Sequence, residues 1–176
     1  MPPDDGVAHL RPGMALPDLA LPATIGDPIN LRTRRGMSIV YVYPWTGRPG
    51  VADPPGWDDI PGAHGSTPQT AGFRDLYPRL RALAAEVFGL STQSSEHQRE
   101  LSERLDVPFA ILSDRDFAFQ AALQLPTFAA GGAAYLRRLT LLLEDGRLSH
   151  VFHPITAPET HANEVLSWVT ARTSRI

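Results

Sequence analysis

The chain has 176 residues, with 16 Lys and Arg against 19 Asp and Glu and a net charge of −3. A chain of this length fits a single domain that buries roughly 70% of the surface its unfolded form would expose. The charge balance lacks the basic excess of nucleic-acid binding proteins, so we expect no nucleic-acid partner. The sequence contains neither cysteine nor lysine, which excludes disulfides, thiol redox cycles and lysine nucleophiles.

The N-terminal residues 1–5 lack the positive start and apolar core of a secretory leader, and no apolar run approaches the ~18 residues of a membrane span. We therefore predict a cytoplasmic protein that makes no membrane contact.

The first third of the chain predicts a lead-in hairpin, a buried strand and a long loop. Two short apolar pieces, residues 16–21 and 29–31, flank a turn at 26–28 and predict the hairpin. Residues 38–43 are β-branched and aromatic, which predicts a buried strand before Pro44. Residues 45–65 contain four prolines and predict a loop insertion, either functional or a plain surface feature, in which tryptophans pin the loop or contact a ligand.

Helices and strands alternate over the rest of the chain. The patterns predict helices over residues 68–85 (kinked at Pro78), 94–105, 117–123 and 158–172, strands over 87–91 and 109–112, and a hairpin of 139–143 with 148–152. This order predicts the α/β class, with a mixed central sheet and helices on both faces, in one domain over residues 1–176.

Several short stretches resemble the peroxiredoxins of the AhpC/TSA superfamily, in particular the Q-type or bacterioferritin-comigratory group. They are residues 41–44, 65–67 leading into 72–75, 89–91 followed by 94–104 and 108–114, and 138–140 before Asp145 and Gly146. Their order and spacing extend the resemblance over nearly the whole chain. It implies a thioredoxin-like fold with an N-terminal hairpin extension.

The resemblance also implies a set of site residues. The peroxidatic cysteine of the family corresponds to Ser66, the resolving cysteine to Ala71, and the arginine that holds thiolate and peroxide to Arg138. Arg137 is the weaker match, because strand alternation points it the other way. The family's peroxide-orienting Thr or Ser corresponds to Ala63.

The remaining expected pocket residues surround this position: Pro44, Thr46 as a possible substitute for the orienting hydroxyl, His64, Gly65 and Thr67. Active relatives reduce hydroperoxides as antioxidants with a thioredoxin-type donor. For this chain we expect no cofactor and a monomer or homodimer.

The start of a helix and a guanidinium stabilise a thiolate, but a serine hydroxyl stays protonated in the same field. We therefore predict that the chain does not turn over hydroperoxides. Either an engineered replacement or a natural loss of both cysteines would give this sequence. Two alternatives stay open: a non-redox module that binds a small anion or has a regulatory role, and a non-redox enzyme recruited to the same pocket through His64 and loop residues.

The same residues have plainer interpretations. Ser66 or Thr67 fits a helix N-cap, with Gln69 completing a capping box. His64 could act as a base for serine chemistry, but the chain has no G-x-S-x-G motif, which disfavours a hydrolase.

Other ionisable side chains fit ordinary surface positions. We expect His150, His153 and His161 at the surface, because their spacing matches no metal signature, and we predict no metal site. The aspartates of the long loop are expected to be solvated charges: Asp53, Asp58 and Asp59.

Overall fold

A five-stranded mixed sheet forms the centre of the fold, in the order β5-β4-β3-β8-β9. The computed structural model describes residues 6–174. Residues 1–5, on which the expected absence of a leader depends, lie outside the described range. Within that range no helix is long and apolar enough to cross a membrane.

The strands are β1 (Ala20–Leu21), β2 (Ile29–Asn30), β3 (Met37–Val42), β4 (Ala85–Ser91), β5 (Ile111–Ser113), β6 (Thr127–Ala130), β7 (Ala133–Leu136), β8 (Leu139–Glu144) and β9 (Arg147–Phe152). The α-helices are α1 (Ser66–Ala82), α2 (Ser95–Leu105), α3 (Ala118–Leu123) and α4 (His161–Thr173), and a short 3₁₀ helix spans Trp57–Asp59. This architecture is the predicted thioredoxin-like α/β fold.

Strand direction brings the ends of distant segments to one edge of the sheet. Strands β3, β4 and β5 are parallel, so their carboxyl ends lie together. Strand β8 runs antiparallel to β3, and its first residue, Leu139, pairs with Val42, the last residue of β3. Arg138 therefore lies at the edge where the parallel strands end.

Alternating side chains of the central strands divide the core into two layers. Ile39 and Tyr41 of β3 pack on one face, with apolar residues of α1, α2 and α4. Val40 and Val42 pack on the other face, with Phe119 of α3 and the N-terminal segment. Helices lie on both faces, as the strand and helix order predicted.

The element pattern follows the sequence predictions with shifts at the ends and one omission. Strands β1 and β2 form the predicted antiparallel hairpin. Helix α1 begins at Ser66, two residues before the prediction, and ends at Ala82, because Ala84 adopts a positive φ of 61° and β4 begins at once. The sequence analysis missed the hairpin of β6 and β7, whose Gly131 and Gly132 both have positive φ.

The segment 45–65 is irregular apart from its 3₁₀ turn, and an aromatic cluster holds it to the body. Trp57 is 3% exposed. Its ring centroid lies 5.6 Å from that of Phe128 and 5.0 Å from that of Tyr135, both on the β6–β7 hairpin. The missed hairpin is therefore the surface on which the loop packs, and Trp57 pins the loop.

Candidate functional site: the start of helix α1

Ser66 is the first residue of α1, and Gly65 is its N-cap. Gly65 has a φ of 109°, a conformation that only glycine adopts readily. A Cβ on Gly65 would lie 2.8 Å from Pro158 Cγ, in the segment before α4. The glycine is needed for both reasons. No side chain of the described residues caps this helix, so the capping interpretation of Ser66, Thr67 and Gln69 is wrong.

The uncapped start leaves hydrogen-bond donors free. The backbone N–H of Gln69 donates to the Gly65 carbonyl, which is the first helical bond. Pro68 has no N–H. Among residues 6–174, the backbone N–H groups of Ser66 and Thr67 have no acceptor. Such groups at a helix N-terminus, together with the helix dipole, attract anions.

The Arg138 guanidinium lies directly behind Ser66. Its Nη2 donates to Ser66 Oγ at 3.1 Å and, at 3.0–3.4 Å, to the backbone carbonyls of Gly62, Ala63 and His64. Its Nη1 donates to Gln69 Oε1. A guanidinium only donates, so Ser66 Oγ is the acceptor and keeps its own proton for another partner.

Arg138 is a buried cation without an acidic partner in the described chain. It is 7% exposed, and no carboxylate of residues 6–174 forms an ion pair with it. Burial lowers the pKa of Arg138 to about 10, so the side chain stays charged at neutral pH. Arg138 Nε and Gln69 Nε2 are buried donors without acceptors. Buried charges are normally paired, so this region favours an incoming negative charge.

Ser66 lines a cavity of about 400 Å³ between the start of α1 and the long loop. The expected site residues His64, Gly65 and Thr67 line it as well. Its other lining residues are Trp45, Gly47, Arg48, Pro49, Asp53, Trp57, Ala63, Pro68 and Arg104. Arg138 is not on this wall, and it reaches the cavity only through its bond to Ser66.

Three expected site residues do not line the cavity. Pro44 is buried two residues after β3, and Ala71 lies further along α1. Thr46 is 1% exposed, and its hydroxyl donates to Gln93 Oε1 at 3.2 Å. Its carbonyl accepts from Gln93 Nε2 and contacts His97 Nε2 at 2.8 Å. Thr46 is therefore committed to a buried network, and Ala63 occupies the cavity wall.

His64 is paired with an aspartate instead of the serine. Its Nε2 lies 2.6 Å from Asp58 Oδ1, and both side chains are largely exposed. Within the described chain no hydrogen bond joins the His64 ring to Ser66. Asp53, Asp58 and His64 place potential ligand atoms within 4.8 Å of one another, all exposed, and exposed acidic groups often lie together without a metal. Among residues 6–174, no base is placed to activate Ser66.

Two features of the rim were missed at the sequence level. Arg104 of α2 donates to Glu100 at 2.8 Å and to the Gly47 carbonyl at 3.0 Å. Arg48 Nε lies 3.9 Å from Glu100. The hydrogen bond from Arg104 lowers the pKa of Glu100. The single Glu100 carboxylate thus lies beside two guanidiniums. No local motif signals this cluster, because Arg48 and Arg104 lie far apart in the sequence.

The expectation that the histidines lie at the surface is wrong for His161, which is 1% exposed. Its Nε2 is 2.8 Å from Thr140 Oγ1, and its Nδ1 is 3.3 Å from Glu164. Its ring lies between Phe73 and Phe152. Burial lowers the pKa of His161, with a smaller contribution from the charge of Arg138. His150 and His153 are half-buried.

Comparison with known proteins identifies the class. Residues 11–166 match the family model described as Redoxin, so the chain belongs to the redoxin family. It is 28% identical to peroxiredoxin Bcp of Escherichia coli K12 over 167 residues, which cover 91% of this chain and 96% of that protein. It is also 28% identical over 160 residues to the chloroplastic peroxiredoxin Q of Sedum lineare, covering 90% and 77% of the two chains.

Solved structures give the same fold. A structure of the bacterioferritin comigratory protein of Xanthomonas campestris, studied for alkyl peroxide reduction, matches with a TM-score of 0.74 at 23% identity and covers 93% of this chain and 99% of that one. Peroxidoxin BcpB of Mycobacterium tuberculosis matches with a TM-score of 0.73 at 22% identity, covering 93% and 98%. The relatives are thus Bcp and Q-type peroxiredoxins, and this chain contains no cysteine.

Proposed function

We propose that this chain is a peroxidase-inactive member of the redoxin family that binds a small anion at the start of α1. The carrying observation is the buried guanidinium of Arg138, which has no carboxylate partner in the described chain and donates to Ser66 Oγ at 3.1 Å. Arg138 polarises the Ser66 hydroxyl, which accepts a hydrogen bond from the guanidinium and can donate its own proton to a ligand in the cavity.

Peroxide reduction requires a nucleophile that this chain does not have. An ionised thiolate attacks the peroxide oxygen in active thiol peroxidases, and a serine hydroxyl stays protonated in the same field. Activation of serine needs an adjacent base, and His64 bonds to Asp58 instead. The site therefore attracts negative charge without supplying electrons.

The anion would be held by the free N–H groups of Ser66 and Thr67 and by the Ser66 hydroxyl, with Arg138 supplying charge from behind. All of these groups donate. The active relatives suggest hydroperoxides as substrates and thioredoxin-type proteins as reductants. A chain that does not reduce peroxide does not need the reductant. A small carboxylate or a sulfate fits the donor set best.

Two measurements test the proposal. Peroxide consumption with a dithiol reductant should be at background for the wild type and rise for Ser66→Cys. Turnover by the wild type would refute the inactivity. Acetate and sulfate affinity, measured by calorimetry, should fall at least about tenfold in Arg138→Gln. The adjacent Arg137→Gln, which removes an exposed arginine, is the matched control, and equal affinity in the wild type and Arg138→Gln would refute the anion site.

A further inference from the structure

We infer that the ligand of this cavity is a carboxylic acid with an aromatic body, whose ring packs on Trp45 while its carboxylate meets the start of α1. This inference rests on the proposed function and names the class of ligand. Its first support is size. The cavity measures about 400 Å³, within the ~300–1,000 Å³ of pockets that hold whole organic ligands. An acetate or a peroxide would leave most of it empty.

The second support is the mixed lining of the cavity. The donors of Ser66 and Thr67 line it, and Trp45, Pro49 and Pro68 add apolar surface. Pockets for organic ligands combine mainly apolar walls with a few convergent polar groups. A ligand that matches this lining has one anionic group and an apolar remainder.

The third support is the rigidity of the aromatic wall. The Trp45 ring lies 5.8 Å from Trp57 and 6.0 Å from His97, centroid to centroid. Trp57 is in turn buried against the β6–β7 hairpin. Trp45 itself is only half-buried, so the ring keeps surface for a ligand while its position is fixed. A preformed aromatic surface favours an aromatic partner, because offset or edge contacts add to the burial of area.

The rim carries charges of both signs. Arg48 and Arg104 line the cavity and share the single carboxylate of Glu100. Both terminal nitrogens of Arg48 are without an acceptor in the described chain. Asp53 also lines the cavity, so two guanidiniums face two carboxylates and the rim carries no net formal charge. The rim therefore offers an anion only the local contact of the Arg48 terminal nitrogens, and the carboxylate itself is held at the helix start.

The test is a ligand series on the wild-type protein, followed by calorimetry: acetate, phenylacetate and the neutral 2-phenylethanol. We expect phenylacetate to bind at least about tenfold more tightly than acetate because it gains the ring contact. We expect 2-phenylethanol to bind more weakly than phenylacetate because it lacks the charge. Equal affinity for acetate and phenylacetate overturns the inference and leaves the anion site standing. Equal affinity for phenylacetate and 2-phenylethanol overturns it too, and no acetate binding refutes the proposed function.

Variants locate the ring. Trp45→Leu should remove most of the advantage of phenylacetate over acetate, because the ring loses its contact surface. Trp168→Leu, whose tryptophan lies against His150 and Arg172 on another part of the molecule, is the matched control. Arg48→Gln should weaken phenylacetate about threefold and reduce its salt dependence, with Arg99→Gln, an exposed arginine of α2 that does not line the cavity, as control. A phenylacetate advantage that survives in a folded Trp45→Leu overturns the inference.

Discussion

The pKa of a cysteine at position 66 would measure the electrostatic field of the site directly. Ser66→Cys introduces the only thiol in the chain, so its ionisation can be followed without interference from other cysteines. The charge of Arg138 and the start of α1 both favour the thiolate, and burial of the side chain opposes it. The balance of these effects is the quantity to be measured.

The magnitude follows from the distance between Arg138 Nη2 and Ser66 Oγ, 3.1 Å. At that separation, and at an effective dielectric constant of about 20, a thiolate and a guanidinium attract by about 5 kcal/mol. The helix terminus adds about 0.3–2 kcal/mol. Full burial can raise a pKa by up to ~3–5 units, or about 4–7 kcal/mol, which is similar in size and opposite in sign. Arg138 therefore decides the direction of the change.

We expect the pKa of the Ser66→Cys thiol to fall from ~8.5 into the ~3.5–7.5 range seen beside cations and helix starts. In Ser66→Cys/Arg138→Gln burial should prevail and raise the thiol pKa above ~8.5. In Ser66→Cys/Arg138→Lys the thiol pKa should be lowered again, but less than with arginine, because lysine keeps the charge and lacks the planar guanidinium. Thiolate absorbance in the ultraviolet as a function of pH measures all three.

The matched control is Ser95→Cys. Ser95 is the first residue of α2, as Ser66 is of α1, but no guanidinium of the described residues bonds to its side chain. Its thiol should show only the modest effect of a helix start. The reasoning fails if the thiol pKa of Ser66→Cys is not below that of Ser95→Cys, or if Arg138→Gln leaves it unchanged.

Three further predictions concern stability. Gly65→Ala should lower the free energy of unfolding by at least about 1 kcal/mol, since its Cβ would meet Pro158 at 2.8 Å and its φ is 109°; an unchanged denaturation midpoint would contradict this. Gly89→Ala should cost about 1–3 kcal/mol, because its Cβ would lie 2.8 Å from Tyr41 Oη and 2.9 Å from Tyr41 Cζ; an unchanged free energy of unfolding, measured by denaturant titration, would refute the clash. Burial lowers the pKa of His161 below 6.5, so the unfolded chain binds the extra proton first and stability should fall as the pH drops below ~6.5. His161→Gln should flatten that fall in thermal unfolding curves, and an identical pH profile would exclude His161 as its source.

The alternation of apolar strands and amphipathic helices was enough to predict the fold class. Strands β3 and β8 are nearly continuous runs of β-branched, leucine and aromatic residues, as burial on both faces requires. The sequence analysis missed the β6–β7 hairpin because its strands are rich in alanine, a weak strand former. The Gly131-Gly132 pair between them was the available signal. The extent of the domain and the role of the 45–65 segment stay predictions.

The sequence by itself determined that no thiol chemistry occurs in this chain, because that depends only on which atoms are present. It also singled out Ser66 and Arg138 as a pair through the resemblance. It could not predict that Gly65, not a side chain, caps α1, or that Thr46 turns toward Gln93. Backbone conformation and a choice between hydrogen-bond partners decide those points.

Only the tertiary structure brought the remaining parts of the site together. Arg138 reaches Ser66 because β8 is antiparallel to β3 with Leu139 opposite Val42, a register set by long-range pairing. Arg48, Arg104 and Trp45 meet at one cavity because Trp57 fixes the loop on the β6–β7 hairpin. Local sequence patterns report propensity over a few residues. The environment of a buried charge depends on segments that are distant along the chain.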